Sequence, residues 1–169
     1  MIKFTLINSG YDKLYFEMNS PQFSISSHIE LLLRSYNRCT GKILLDINGS
    51  PEEIAEKVVN APFALVSHDN VDDPVFNFGN RTALELFELS WEEFTKLHSR
   101  ESAEPVNRED RTRLLKRVTE NGFIDDYSGI RISSTGKRFE IRDATVWNVI
   151  DNEGIYRGQA AYFDKWEFL

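Results

Sequence analysis

The chain has 169 residues, 27 of them acidic and 20 basic, for a formal charge of −7. That balance repels phosphate backbones and excludes a nucleic-acid partner, a single cysteine excludes an internal disulfide, and no apolar run approaches the roughly 20 residues of a membrane helix. With no secretory pattern in residues 1–11, these features predict a soluble, cytoplasmic protein with no membrane contact, long enough to bury a sizeable core.

Residues 1–25 read as an N-terminal extension, in which Ile2, Phe4 and Leu6 alternate, Asn8-Ser9-Gly10 marks a turn, and residues 14–18 pair back to make a hairpin. A helix follows, with Ser27 and Glu30 as a capping box and Ile29, Leu32, Leu33 and Tyr36 on one stripe ending before Gly41. Ser50 caps a second helix, with Pro51 at its first position and Glu53 closing the box; Pro62 stops it. Residues 63–67 and 75–78 read as two strands around an acidic turn. Asn80 caps a helix carrying Ala83, Leu84, Leu86 and Phe87, and Ser90 with Glu93 boxes a short one carrying Trp91, Phe94 and Leu97. Residues 99–106 form a polar loop. Asn107 caps the long helix after it, in which Leu114, Leu115 and Val118 are the buried stripe and Gly122 is the stop. Its basic residues Arg108, Arg111, Arg113, Lys116 and Arg117 alternate with Glu109, Asp110 and Glu120, which reads as a solvated face.

Three strands complete the chain over residues 123–163, separated at Ser134-Thr135-Gly136 and Asp151-Asn152-Glu153-Gly154. Turns this short forbid parallel crossovers, so the expected class is α+β with an antiparallel sheet. Alternation along the middle strand puts Phe139, Ile141, Asp143, Thr145, Trp147 and Val149 on one face, and Arg138, Glu140, Arg142, Ala144, Val146, Asn148 and Ile150 on the other. Both sets are mixed, so one face is expected under the middle helices and the other under the N-terminal helices or a second subunit. Gly158 and Ala160 leave space above the sheet, either as a cavity or for a large neighbour such as Trp147.

This order of elements resembles the PAS fold. Four phrases, Asn77-Phe78-Gly79-Asn80-Arg81-Thr82-Ala83-Leu84, Ser99-Arg100-Glu101-Ser102-Ala103-Glu104-Pro105, the run from Gly122 to Ile132, and Gly158-Gln159-Ala160-Ala161, resemble the MEKHLA domain. That PAS-related family occurs as small stand-alone bacterial proteins and at the end of the class-three homeodomain–leucine-zipper regulators of plants. The likeness covers about residues 26 to 166. It implies a five-stranded antiparallel sheet in the order 2-1-5-4-3, helices on one face, two N-terminal helices in addition, and a pocket between the sheet and the middle helices. It further implies a sensory or ligand-binding module over residues 26–169, without naming the ligand.

The candidate ligand-binding residues are Arg100, Tyr127, Arg131, Trp147 and Gln159. A buried arginine needs an anion, and Glu101, Glu104 or Asp126 is favoured over a ligand because acidic side chains are plentiful nearby. Trp147 either stacks on a planar ligand or fills the core. Cys39 precedes the first core strand, whereas a flavin photoreceptor of the LOV kind needs a cysteine among the middle helices. A haem sensor needs a histidine, commonly on the long helix; residues 107–121 have none, and His98 alone lies near the pocket. One cysteine and three scattered histidines give no metal spacing. A flavin held without a covalent bond stays open, because such pockets carry no short motif, and the cofactor is therefore unspecified.

Asp143 is a candidate general base for a small cofactor-free isomerase or dehydratase, but nothing supplies a partner acid or nucleophile. The expectation is thus a non-enzymatic, PAS-like sensory module that binds a small molecule or signals through a protein partner. The competing reading is a ligand-free interaction module, a homodimer using the sheet's outer face and the tail Trp166-Glu167-Phe168-Leu169.

Overall fold

Residues 25–46 and 48–169 are described by a computed structural model, and the hairpin expected within residues 1–25 lies outside them. Two helices come first, α1 (Ile25–Thr40) and α2 (Pro51–Val59). Ile25 is already helical, so Ser27 lies inside α1 and not at its cap. At α2 the expected box is complete: the Ser50 hydroxyl accepts from the Glu53 amide, and the Glu53 carboxylate accepts from the Ser50 amide.

Next come the strands β1 (Ala64–His68) and β2 (Phe76–Gly79), then α3 (Arg81–Phe87) and α4 (Trp91–Phe94). Residues 99–106 are more ordered than a polar loop. They form two 3₁₀ turns, Ser99–Ser102 and Pro105–Asn107, with Ser99, Ser102 and Ala103 buried. The second turn runs directly into α5 (Arg108–Asn121), so Asn107 is already helical in backbone and makes no side-chain cap.

The sheet is completed by β3 (Phe123–Ile132), β4 (Arg138–Ile150), β5 (Tyr156–Phe163) and β6 (Lys165–Phe168). Its order is β2-β1-β5-β4-β3, all antiparallel, with β6 added beside β4. The sheet therefore has six strands where the resemblance implies five. The tail supplies the sixth, because β6 continues the pairing of β5 with β4 in unbroken register, from Thr145↔Tyr162 to Arg142↔Lys165.

Simple alternation fails along β4. Asp143 has φ +52, and two residues of β3, from Tyr127 to Gly129, span three of β4, from Ala144 to Ile141. This bulge shifts the parity of everything after it. Phe139 packs edge-on against Phe87 of α3, and Asn148 donates to the Val118 carbonyl of α5, so both face the middle helices. Trp147 faces the other way. It is fully buried against Tyr36 of α1, with ring centroids 5.0 Å apart, and its Nε1 donates to Ser35 Oγ at 3.0 Å. Burying such a side chain contributes about 3 kcal/mol. The N-terminal helix thus covers the face that alternation left to either α1 or a second subunit. Ala160, the cross-strand partner of Trp147, shares that face, so its small side chain makes room for the indole.

The β3–β4 turn is tied to the end of α3 through Glu88. Its carboxylate accepts from Lys137 Nζ at 2.5 Å, from Ser133 Oγ at 2.7 Å and from the Thr135 hydroxyl. These donors, Lys137 first, hold the Glu88 carboxyl at about 2, against an ordinary 4.5. A depressed folded pKa gives stabilisation that is complete above pH 4.5 and lost as pH falls through 2. Glu88→Gln is expected to flatten the pH dependence of stability across that window in urea melts. An unchanged slope would contradict it.

Candidate functional site

A cavity of 60 Å³ lies between the inner face of the sheet and the helices α3 to α5. Its lining rings Phe76 and Phe87 are backed by a stacked and an edge-on neighbour, Phe94 at 4.4 Å from Phe76 and Phe139 at 5.3 Å from Phe87 between centroids. The polar lining includes His68 at the end of β1, Ser102 on the first 3₁₀ turn, Arg111 on α5, Tyr127 and Arg131 on β3, and Gln159 on β5.

Arg111 reaches the cavity because it sits three residues before Leu114 and seven before Val118, on the buried stripe of α5. It is 8% exposed, and Nη2 donates to Ser99 Oγ at 2.6 Å. Its assignment to the solvated face is thereby corrected. Burial, then repulsion from Arg131, pushes the Arg111 guanidinium down to about 10. It remains charged at neutral pH.

Arg131 is also 8% exposed, with Nη1 bonded to the Ile130 carbonyl at 2.9 Å and Cζ 5.3 Å from the centre of the Tyr127 ring. That phenol crosses Gly129, where a Cβ would meet the Tyr127 hydroxyl oxygen at 2.1 Å. Neither arginine forms an ion pair with a carboxylate among the described residues. The protein carboxylates favoured from sequence do not supply one: Glu104 pairs with Arg138, the Glu101 carboxylate caps the 3₁₀ turn at the His98 amide, and Asp126 is exposed.

His68 is 7% exposed. Its Nδ1 donates to the Asp69 carbonyl at 2.7 Å, which leaves Nε2 as an acceptor, and Nε2 is buried without a hydrogen-bond partner. Burial lowers the pKa of this ring and the Arg111 charge lowers it further, so the imidazole is neutral and adds no charge. Gln159 is committed to the framework. Its Nε2 donates to the Leu115 carbonyl and lies 3.1 Å from both Thr119 Oγ1 and Asn148 Oδ1, which straps β5 to α5.

Of the five candidates read from sequence, the structure brings Tyr127, Arg131 and Gln159 together around the cavity. Arg100 points away, with Nε on both oxygens of Asp73 at 2.9 and 3.1 Å, and Trp147 lies on the opposite face of the sheet. Arg111 and His68 were missed. The helical spacing of Arg111 to Leu114 and Val118 is the signal that would have found the first. His98 is half-exposed and bound to Asp73, and Cys39 lies on α1 with Sγ 3.6 Å from the Asn148 carbonyl oxygen. Asp143 is exposed on β4 and paired with Lys165 at 2.9 Å, outside the cavity, so the general-base reading has no substrate space. Among the described residues no group of three His, Cys, Asp or Glu could hold a metal ion, and no helix is long and apolar enough to cross a membrane.

A sequence profile of the MEKHLA domain matches residues 26–168. The homeobox-leucine zipper protein HOX29 of Oryza sativa subsp. indica is 25% identical over 126 residues, which are 74% of this chain and 15% of that protein. The chain thus spans about one-seventh of this relative. Among solved structures, a PAS domain from Colwellia psychrerythraea superposes with a TM-score of 0.56 at 15% identity, covering 70% of this chain and 95% of that one. The light-state dimer of the fungal blue-light photoreceptor Vivid gives 0.56 at 14% identity, covering 86% and 97%. These likenesses establish the PAS fold.

Proposed function

The chain belongs to the MEKHLA domain family, and from that premise we propose that it is a sensory module whose cavity between the sheet and α3 to α5 receives a small molecule. The observation that carries this reading is the lining. A core built for stability alone closes its voids with apolar groups, yet here Arg111, Arg131 and His68 are each more than nine-tenths buried around an open space. Each costs free energy unless something else completes it.

Occupancy has a route to the surface through Gln159, Thr119 and Leu115, which join the cavity wall to α5. Output would then be a change in how α5 or the adjoining 3₁₀ turns contact a partner protein. No catalytic step is part of this reading.

Screening a library of molecules of up to about four heavy atoms, a limit set by the cavity, by amide NMR tests it. At least one compound is expected to shift the amides of His68, Tyr127, Gln159 and Ala161. Ala161, half-buried in the lining and cross-strand from Val146, offers the control. Ala161→Leu should fill the void, weaken binding tenfold or more and leave the fold intact. A library that shifts none of these amides, or binding that survives Ala161→Leu, would contradict the proposal.

A further inference from the structure

Resting on that reading of the cavity, we propose that the ligand is a carboxylate of one or two carbons, its oxygens seated between the guanidinium groups of Arg111 and Arg131. Two cations share one desolvated space. Each is 8% exposed, and neither has a carboxylate partner among the described residues. Asp73, the one carboxylate whose charge reaches Arg111, is already held by Arg100 and His98. A guanidinium does not shed its proton to escape burial, as a lysine or histidine does. The Tyr127 ring, 5.3 Å from Arg131 Cζ, offsets one of these charges in part, and a bound anion would offset both.

The protein offers few substitutes. Arg111 spends Nη2 on the neutral Ser99 hydroxyl, and Arg131 spends Nη1 on its neighbour's carbonyl. His68 is neutral, and the Gln159 amide nitrogen is engaged by Leu115, Thr119 and Asn148. Planar guanidinium forks match the two oxygens of a carboxylate in geometry as well as charge.

Size and lining narrow the class. An apolar cavity of about 150 Å³ seats benzene, so 60 Å³ corresponds to about three heavy atoms, the bulk of one carboxylate group. A tetrahedral phosphoryl group is larger. The remaining walls are mainly apolar, with Phe76, Phe87, Ile141, Val146 and Phe163, and the hydroxyls of Ser67 and Ser102 are already bonded to Asn77 and the Ser99 carbonyl, which suits a methyl tail and not a second polar head. Leu115, Tyr127 and Ala161 are half-buried and form the mouth.

The test is an amide-NMR titration of the full chain at pH 7 and constant ionic strength with sodium acetate, with acetamide as its neutral isostere, and with sodium nitrate. Acetate is expected to bind saturably at the cavity residues, at least tenfold tighter than acetamide or nitrate. Arg111→Met and Arg131→Met should each weaken acetate tenfold or more. If either variant fails to fold, Ala161→Leu, which leaves both charges in place, must lose acetate; retention there overturns the proposal. Acetamide binding as tightly as acetate overturns the charge assignment while leaving a ligand cavity. Nitrate binding as tightly as acetate overturns the carboxylate class. Silence from all three overturns the carboxylate proposal, and the wider library then decides whether the cavity binds anything.

Discussion

Asn80→Ala is expected to lower stability by about 3–5 kcal/mol, most of it from stranded backbone groups and the rest from a lost helix cap. Asn80 is fully buried and its amide makes four hydrogen bonds. Oδ1 accepts from the Ala83 amide at the start of α3 and from the Leu65 amide in β1; Nδ2 donates to the carbonyls of Val58 at the end of α2 and of Phe63. One side chain therefore joins two helices to β1, an inner strand of the sheet. Alanine removes all four bonds and gives the stranded groups no access to water. Asn80→Asp separates the contributions, since it keeps both acceptor contacts, loses both donor contacts and buries a charge. It should be no more stable than the alanine variant. Urea unfolding measures both, and a loss below about 1 kcal/mol for alanine, the size of an ordinary cap alone, would contradict this assignment.

Gly158→Ala is expected to be nearly as severe, at about 3 kcal/mol or more, because strain and overlap act together. The residue has φ +127, and a Cβ there would stand 2.0 Å from the carbonyl oxygen of His68. The oxygen it meets belongs to the backbone, so no rotamer change relieves the contact. β5 must shift away from β1 at the pair His68↔Gln159, where two of the cavity's polar side chains begin. Gly136 is the control. Its φ is +88 and a Cβ there would meet nothing within 4 Å, so alanine costs only the left-handed conformation, about 1–2 kcal/mol. Thermal melts should rank the two variants in that order, and equal losses would remove the claim that close approach of β1 and β5 requires glycine.

Local signals in the sequence carried much of the fold. The boxes at Ser50 and Ser90 and the cap at Asn80 are determined by side chains within three residues of the backbone groups they satisfy, and each is present as read. The strand order followed from the resemblance, and hairpin turns fixed the antiparallel pairing of β3, β4 and β5.

What sequence alone did not disclose depends on non-local geometry. The bulge at Asp143 inverts the faces of the second half of β4, so Trp147 moved from the candidate site to the α1 interface and Val146 moved into the lining. Arg111 was hidden by its neighbours. Arg108, Arg113, Lys116 and Arg117 dominate the charge of α5, and only the spacing to Leu114 and Val118 separates the buried arginine from the solvated ones. Arg100 and Arg131 look alike in sequence, and the difference is that Asp73, distant in the chain, meets the first and no carboxylate among the described residues meets the second.

The side-chain Nε–H resonances of Arg111 and Arg131, followed in a nitrogen-15 sample during an acetate titration, observe the proposed contact at its own atoms. Both resonances should move along one saturation curve and stay fixed when acetamide is added instead. Arginine resonances that remain still while acetate shifts amides elsewhere would place the ligand outside the cavity and contradict a carboxylate-binding sensor.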